Sequence, residues 1–151
     1  MNVLLDTNII GRMFQPGHAH HTIARTAVDS LVARGDTPCL VPQILYEFWV
    51  VATRPTSANG LGLSPATASL ELNQLQQLFP LLLDGLSLFA VWQGLVTRHS
   101  VSGKSAHDAR LVAAMQIHQV THLLTFNIAD FTRFTGVTIL DPATMAQPGS
   151  P

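Results

Sequence analysis

Apolar residues fall in short blocks along this chain, and the blocks carry two different periods. The opening "NVLLDTNII" is a continuous apolar run broken by three polar residues, and it predicts a buried strand over roughly residues 2 to 6. A short helical segment reaches Phe14, "PGHAHH" interrupts, and a second helix runs to about Arg34. "TPCLVP" predicts a short buried strand. The stretch from Gln43 to Thr53 predicts a helix that is apolar on nearly every side and is stopped by Arg54 and Pro55. "TSANGLGLSP" is loop, and helix resumes near Ser64, with Pro65 suited to the first helical position, as far as about Leu78. Between residues 79 and 104 the pattern is weaker and predicts a short strand before Asp84, then a helix to about His99. "SAHDARLVAAMQIH" follows as a helix, "HLLTF" as a strand and "VTIL" as a last short strand. Strands alternating with helices in this way predict an α/β fold, a mainly parallel central sheet flanked by helices. With no internal repeat and no linker, the whole of residues 1–151 reads as one domain, with about 142–151 as a C-terminal tail.

Composition narrows the function classes. The chain is 47% hydrophobic and only 11% charged, which excludes a disordered chain and leaves a core-rich globular one. Eight Lys and Arg nearly balance nine Asp and Glu, so no overall basic field drives nucleic-acid binding. Any phosphate recognition has to be local or metal-mediated. Cys39 stands alone, which excludes an intrachain disulfide framework and fits a reducing cytoplasm. The greasiest later stretch, "LFPLLLDGLSLFAVW", is cut by Pro80, Asp84 and Gly85, and falls short of a membrane span.

Because acids are so few, their positions are informative. Asp6 ends the first strand, and in parallel α/β sheets ligands bind just outside the carboxyl ends of strands. Asp6 or Thr7 would equally serve as a cap for the helix that follows. Glu47 is the only charge in "QILYEFWVVAT", and burying it calls for a cation or for a partner such as Arg12 or Arg110. Asp108 stands three residues after Ser105, the spacing of a capping box. "LLTFNIADF" repeats the opening pattern, an apolar strand followed by Thr125, Asn127 and Asp130, where turn chemistry is the plain alternative. Taken together, four acids at these places have the means to converge at one edge of a sheet. Packed carboxylates repel unless a cation neutralises them, and all-oxygen ligation suits Mg²⁺ or Mn²⁺ better than zinc.

With "LLDTN" at the start, Glu47 in the second quarter, "SGKSAHDARLVAAM" late and "LLTFNIADF" with "VTIL" after it, the chain resembles the PIN-domain ribonucleases. It is most similar to the VapC-like toxins of bacterial type II toxin-antitoxin systems. The resemblance implies a Mg²⁺-dependent endoribonuclease whose acidic core is Asp6, Glu47 and Asp108. Thr7 and Asn8 would order the end of the first strand, and Thr125 would hydrogen-bond within the site. It implies RNA as substrate, products with a 5′-phosphate and a 3′-hydroxyl, and an antitoxin partner. One departure stands out: many members carry an acid two residues after the threonine, where this chain has Asn127, so either Asn127 or Asp130 would complete the site. Two other readings stay open. One is a PIN-like domain that binds RNA or protein with weakened catalysis. The other is a haloacid-dehalogenase-like phosphatase, which wants a second Asp where Asn8 stands.

Other segments carry less. His18, His20 and His21 in "HAHH" have no Cys or carboxylate ligand nearby in sequence and read as a solvated approach to the second helix. The "NGLGLS" glycines follow a helix rather than a strand and read as a turn. Lys104 and Arg110 flank Asp108 and are candidates to touch RNA phosphates. Tyr46, Phe48, Trp49 and Val50 give one helix more bulk than one face buries, which together with the small net charge predicts a homodimer.

Overall fold

Each of the four strands pairs in parallel: Asn2–Leu5 (β1), Thr37–Cys39 (β2), His122–Leu124 (β3) and Thr138–Leu140 (β4) form one sheet in the order β2-β1-β3-β4. The structure, a computed structural model, describes residues 1–147. Val3, Leu4 and Leu5 are all buried. Successive strand residues point to opposite faces, so burial of all three means that both faces of the sheet are covered. The covering is helical: Thr7–Met13 (α1), His21–Ala33 (α2), Pro42–Thr53 (α3), Pro65–Leu78 (α4), Leu88–Arg98 (α5), Ser105–Ile117 (α6), Ile128–Phe131 (α7) and Pro142–Met145 (α8). Ile44 and Phe48 from α3, Leu31 from α2 and Val112 and Met115 from α6 join the strand residues in one core cluster.

The strand order positions the site. From β1 the chain runs through α1 and α2 to β2 on one side, and the long passage through α3 to α6 returns it to β3 on the other. The connections therefore part between β1 and β3, which is where open parallel sheets leave a crevice at their carboxyl ends. Leu5 pairs with Leu124 in register, so the next residues, Asp6 and Thr125, emerge side by side.

Several expected boundaries shift for identifiable reasons. The strand expected before Asp84 shrinks to a single bridge between Leu40 and Leu81. Leu40 N–H donates to Pro80 O at 2.9 Å and Leu82 N–H to Leu40 O at 2.8 Å. The ladder cannot lengthen, because Pro80 has no N–H and α3 begins at Pro42. β3 stops at Leu124 rather than Phe126, because Phe126 N–H is taken by the side-chain oxygen of Asn8 at 3.2 Å. α3 is not buried all round: Tyr46 is 65% and Val50 57% exposed. Of the stretch read as a tail, Pro142–Met145 form α8, with Met145 buried, and residues 148–151 lie outside the described residues. Ser64 caps α4 by accepting from Thr67 N–H at 3.1 Å, with Pro65 at the first turn as its sequence requires.

Candidate active site

Asp6 is 7% exposed and fully engaged. Its Oδ1 accepts from Thr7 N–H at 2.7 Å, and its Oδ2 accepts from Asn8 Nδ2 at 2.7 Å and Thr125 Oγ1 at 2.6 Å. The cap reading and the site reading thus describe one carboxylate, which caps α1 and faces the crevice. Thr125 is held in turn, accepting from Asn8 Nδ2 at 3.0 Å and from Asn127 N–H at 2.9 Å. Burial pushes the Asp6 carboxyl up to about 6; the bonds from Thr125 and Thr7 oppose the rise, and the charges of Glu47 and Asp108 add to it.

Glu47 reaches the same place from α3. Its Oε2 accepts from Thr7 Oγ1 at 2.6 Å and its Oε1 from Gln43 Nε2 at 2.8 Å. Neither Arg12 nor Arg110 is its direct partner. Arg110 acts one step back: it donates to Gln43 Oε1 at 3.0 Å and pairs with Asp84 at 2.7 Å. That bond fixes the Gln43 amide so that its NH₂ faces Glu47 and also His107 O at 3.0 Å. Gln43 was not singled out from sequence; its only signal was a polar side chain one turn before Glu47 on an apolar helix.

Asp108 enters from the first turn of α6. The capping box does not form, since no side chain caps this helix and Lys104 holds the cap position. The Asp108 carboxylate accepts no hydrogen bond among the described residues. Burial raises its pKa, with further increments from Asp130 and Glu47, while His107 and Arg133 act against the rise.

Two adjoining clefts gather these groups. The inner one, about 880 Å³, has Asp6, Glu47, Asp108 and Asn127 among its lining residues. The outer one, about 740 Å³, is lined by Glu47, Asp108, Asn127 and Asp130 together with Lys104 and Arg110. Asn127 borders both clefts, whereas Asp130, exposed on α7, borders only the outer one. The convergence of four acids is looser than expected: among the described residues, no three His, Cys, Asp or Glu side chains are gathered into a ready-made ligand set. The donor set itself suits a hard divalent cation. It consists of carboxylate oxygens from three separate elements facing one cleft, and two of those groups, Asp6 and Asp108, resist ionisation chiefly because they are buried, with neighbouring carboxylates adding to the effect.

Of the three histidines in "HAHH", His18 borders the inner cleft, and the contacts they make join neighbouring elements. His21 Nδ1 lies 2.9 Å from Arg12 O, His18 Nδ1 accepts from His20 N–H at 3.0 Å, and His20 stacks on Phe126 with ring centroids 4.6 Å apart. They fasten the junction of α1 and α2 to the loop after β3.

A parallel sheet of this order, with Asp6, Glu47 and Asp108 around the crevice, defines an α/β domain with an acidic cleft at the carboxyl ends of its strands. The sequence matches the PIN domain family over residues 3–136, and the chain belongs to that family. No curated protein sequence matches it significantly. Among solved structures, it is similar to VapBC2 from Rickettsia felis bound to a DNA fragment from their promoter. The TM-score is 0.70 at 14% identity, over 93% of this chain and 98% of that one. A toxin-antitoxin complex from Klebsiella pneumoniae matches with a TM-score of 0.63 at 20% identity, over 93% of this chain and 97% of that one. VapC20 of Mycobacterium tuberculosis, a sarcin-ricin loop cleaving toxin, matches with a TM-score of 0.59 at 16% identity, over 80% of this chain and 86% of that one. At these identities the likeness is one of fold. Membership of the PIN family removes the ground for the phosphatase reading, and Asn8 spends its amide on Asp6, Thr125 and Phe126. No helix among the described residues is long and apolar enough to cross a membrane.

Proposed function

We propose that this protein is a Mg²⁺-dependent endoribonuclease, the cytoplasmic toxin of a toxin-antitoxin pair. The observation that carries the reading is the meeting of three carboxylates, Asp6, Glu47 and Asp108, in one cleft at the point where the sheet's connections diverge. These three would hold Mg²⁺ or Mn²⁺, with Asn127 or Asp130 completing the set. Such an ion, when bound, lowers the pKa of a coordinated water and offsets charge developing on a phosphodiester.

The remaining roles belong to the chain's own groups. Thr7, Asn8 and Thr125 direct both oxygens of Asp6, so its orientation is fixed before any ligand arrives. Thr7 and Gln43 hold Glu47 in the same manner. Asp108, free of hydrogen bonds, is the carboxylate able to adjust toward an incoming ion. On purified protein, structured and unstructured RNA should be cut in Mg²⁺ or Mn²⁺ and left intact in EDTA. Cleavage that persists in EDTA, or none in either metal, would overturn the reading.

A second reading, an RNA- or protein-binding domain with weakened catalysis, draws on the neutral Asn127 and on the loose spacing of the acids. The same assay separates the two.

Partner binding fits the apolar surface. Tyr46 and Val50 line the outer cleft beside Glu47 and Asp108, a mixed apolar and acidic groove suited to an amphipathic antitoxin segment. Leu83 and Phe89 are also exposed. On this basis the free protein should be a homodimer, and light scattering that showed only monomer at micromolar concentration would remove that part of the proposal.

A further inference from the structure

We infer that Arg12 and Arg54, which line the same inner cleft as Asp6, Glu47 and Asp108, form a phosphate-binding arm for the RNA strand. The inference rests on the nuclease reading and names residues that sequence inspection passed over in favour of Lys104 and Arg110. The inner cleft carries both charges: Arg12 and Arg54 line it together with Asp6, Glu47 and Asp108.

Neither arginine is neutralised. Arg12 donates to the side-chain oxygen of Gln15, and Arg54 donates to Asn59 O at 3.3 Å. Among the described residues neither pairs with a carboxylate. By contrast, Arg34 is paired with Asp36 and Arg110 with Asp84. What sets Arg12 and Arg54 apart is their place: both line the acidic inner cleft with no carboxylate partner among the described residues, so both are available to an anion from outside. A phosphodiester strand supplies such an anion, with one phosphate at the carboxylates and a neighbouring one at the arginines.

Both groups are held in place by their surroundings. Arg12 lies in the last turn of α1, six residues beyond Asp6, a rise of about 9 Å along the helix. Its carbonyl is tied to His21. Arg54 ends α3, and the following loop folds back on it: Gly62 N–H donates to Arg54 O at 2.9 Å and Leu61 N–H to Val51 O at 2.9 Å. Gly60 packs so closely that a Cβ there would stand 1.9 Å from Arg54 O, so this residue has to be glycine. The "NGLGLS" loop is thus a brace for Arg54. A plainer role exists for Arg12, since a cation in the last turn complements the helix dipole, but that role would alter stability and not RNA affinity.

The test uses the full chain with Asp108→Asn to block turnover, and a fluorescein-labelled single-stranded oligoribonucleotide of mixed sequence followed by anisotropy. Arg12→Gln and Arg54→Gln should each weaken binding about tenfold and lower the salt slope by about 0.7. Arg98→Gln, an equal charge change away from both clefts, should do neither. With Asp108 restored and Mn²⁺ present, the same two changes should raise KM with little change in kcat. If Arg12→Gln and Arg54→Gln behave like Arg98→Gln while RNA is still cut, the arm is wrong and the nuclease reading survives. Arm-dependent RNA binding without cleavage in Mg²⁺ or Mn²⁺ upholds the arm and overturns the nuclease reading. A protein that neither binds nor cuts RNA overturns both.

Discussion

Asp108→Asn is expected to reduce RNA cleavage about a hundredfold or more and to leave the fold intact, with a melting temperature in EDTA equal to or above that of the parent. The structural half follows from what Asp108 does not do. Its carboxylate accepts no hydrogen bond among the described residues, and no side chain caps α6, so an isosteric amide removes no structural contact. It does remove a charge that burial, Asp130 and Glu47 all disfavour. Asp6→Asn should be equally inactive but less innocent. An amide there turns its NH₂ toward at least one of the three groups that now donate to Asp6, and a buried mismatch of that kind costs on the order of 1–3 kcal/mol. Asp130→Asn, at the exposed edge of the outer cleft, should lower activity without abolishing it. Full activity of Asp108→Asn, measured on RNA with the melting curve recorded alongside, would show that the acidic cleft is not the reaction centre.

The second large effect joins metal and pH. Millimolar Mn²⁺ is expected to raise the melting temperature near neutral pH. Saturation at about a hundred times Kd stabilises the folded state by about 2.7 kcal/mol, which is roughly 5–10 °C for a chain of this size. Asp6 sets the pH dependence. Its folded pKa, about 6, lies above its ordinary value of 3.8, so the folded state holds the proton more tightly. Without metal, that contribution is fully present below about pH 4 and is lost as pH rises through 6. The shift corresponds to at most about 3 kcal/mol. Mn²⁺ needs the ionised form, so its stabilisation should be small at pH 5 and should grow above pH 6. Thermal melts with EDTA or Mn²⁺ across this range test the linkage. Curves that stay parallel at all pH values, or an unchanged divergence in Asp6→Asn, would rule out Asp6 as the coupling group.

Local signals in the sequence account for most of the elements and for the acidic residues themselves. The apolar run before Asp6, the Pro65 start of α4, the Arg54-Pro55 stop of α3 and the run of strong helix formers in α6 each depend on residues within a turn or two of one another. Capping, proline geometry and side-chain period act over that range, so they can be read without a fold. The scarcity of charge made Asp6, Glu47 and Asp108 visible for a related reason: in a chain with nine acids, a carboxylate among apolar neighbours needs a purpose.

The fold decided which of these residues meet. Asp6 and Thr125 are 119 positions apart and become neighbours only because β1 lies beside β3 with Leu5 opposite Leu124. Periodicity says that a strand is buried and is silent about which strand lies next to it. The same limit hid the chain from Arg110 through Gln43 to Glu47, the exposure of Tyr46 and Val50, and the place of Arg12 and Arg54 on the inner cleft. In each case the side chain's role is set by partners on another element, brought close by packing of the whole chain. Sequence alone determined that Asp6 stands at a strand's end and that Glu47 lies in an apolar helix. That they share one cleft with Asp108, Arg12 and Arg54 is a property of the tertiary structure, because only the sheet order and the helix docking bring those backbones together.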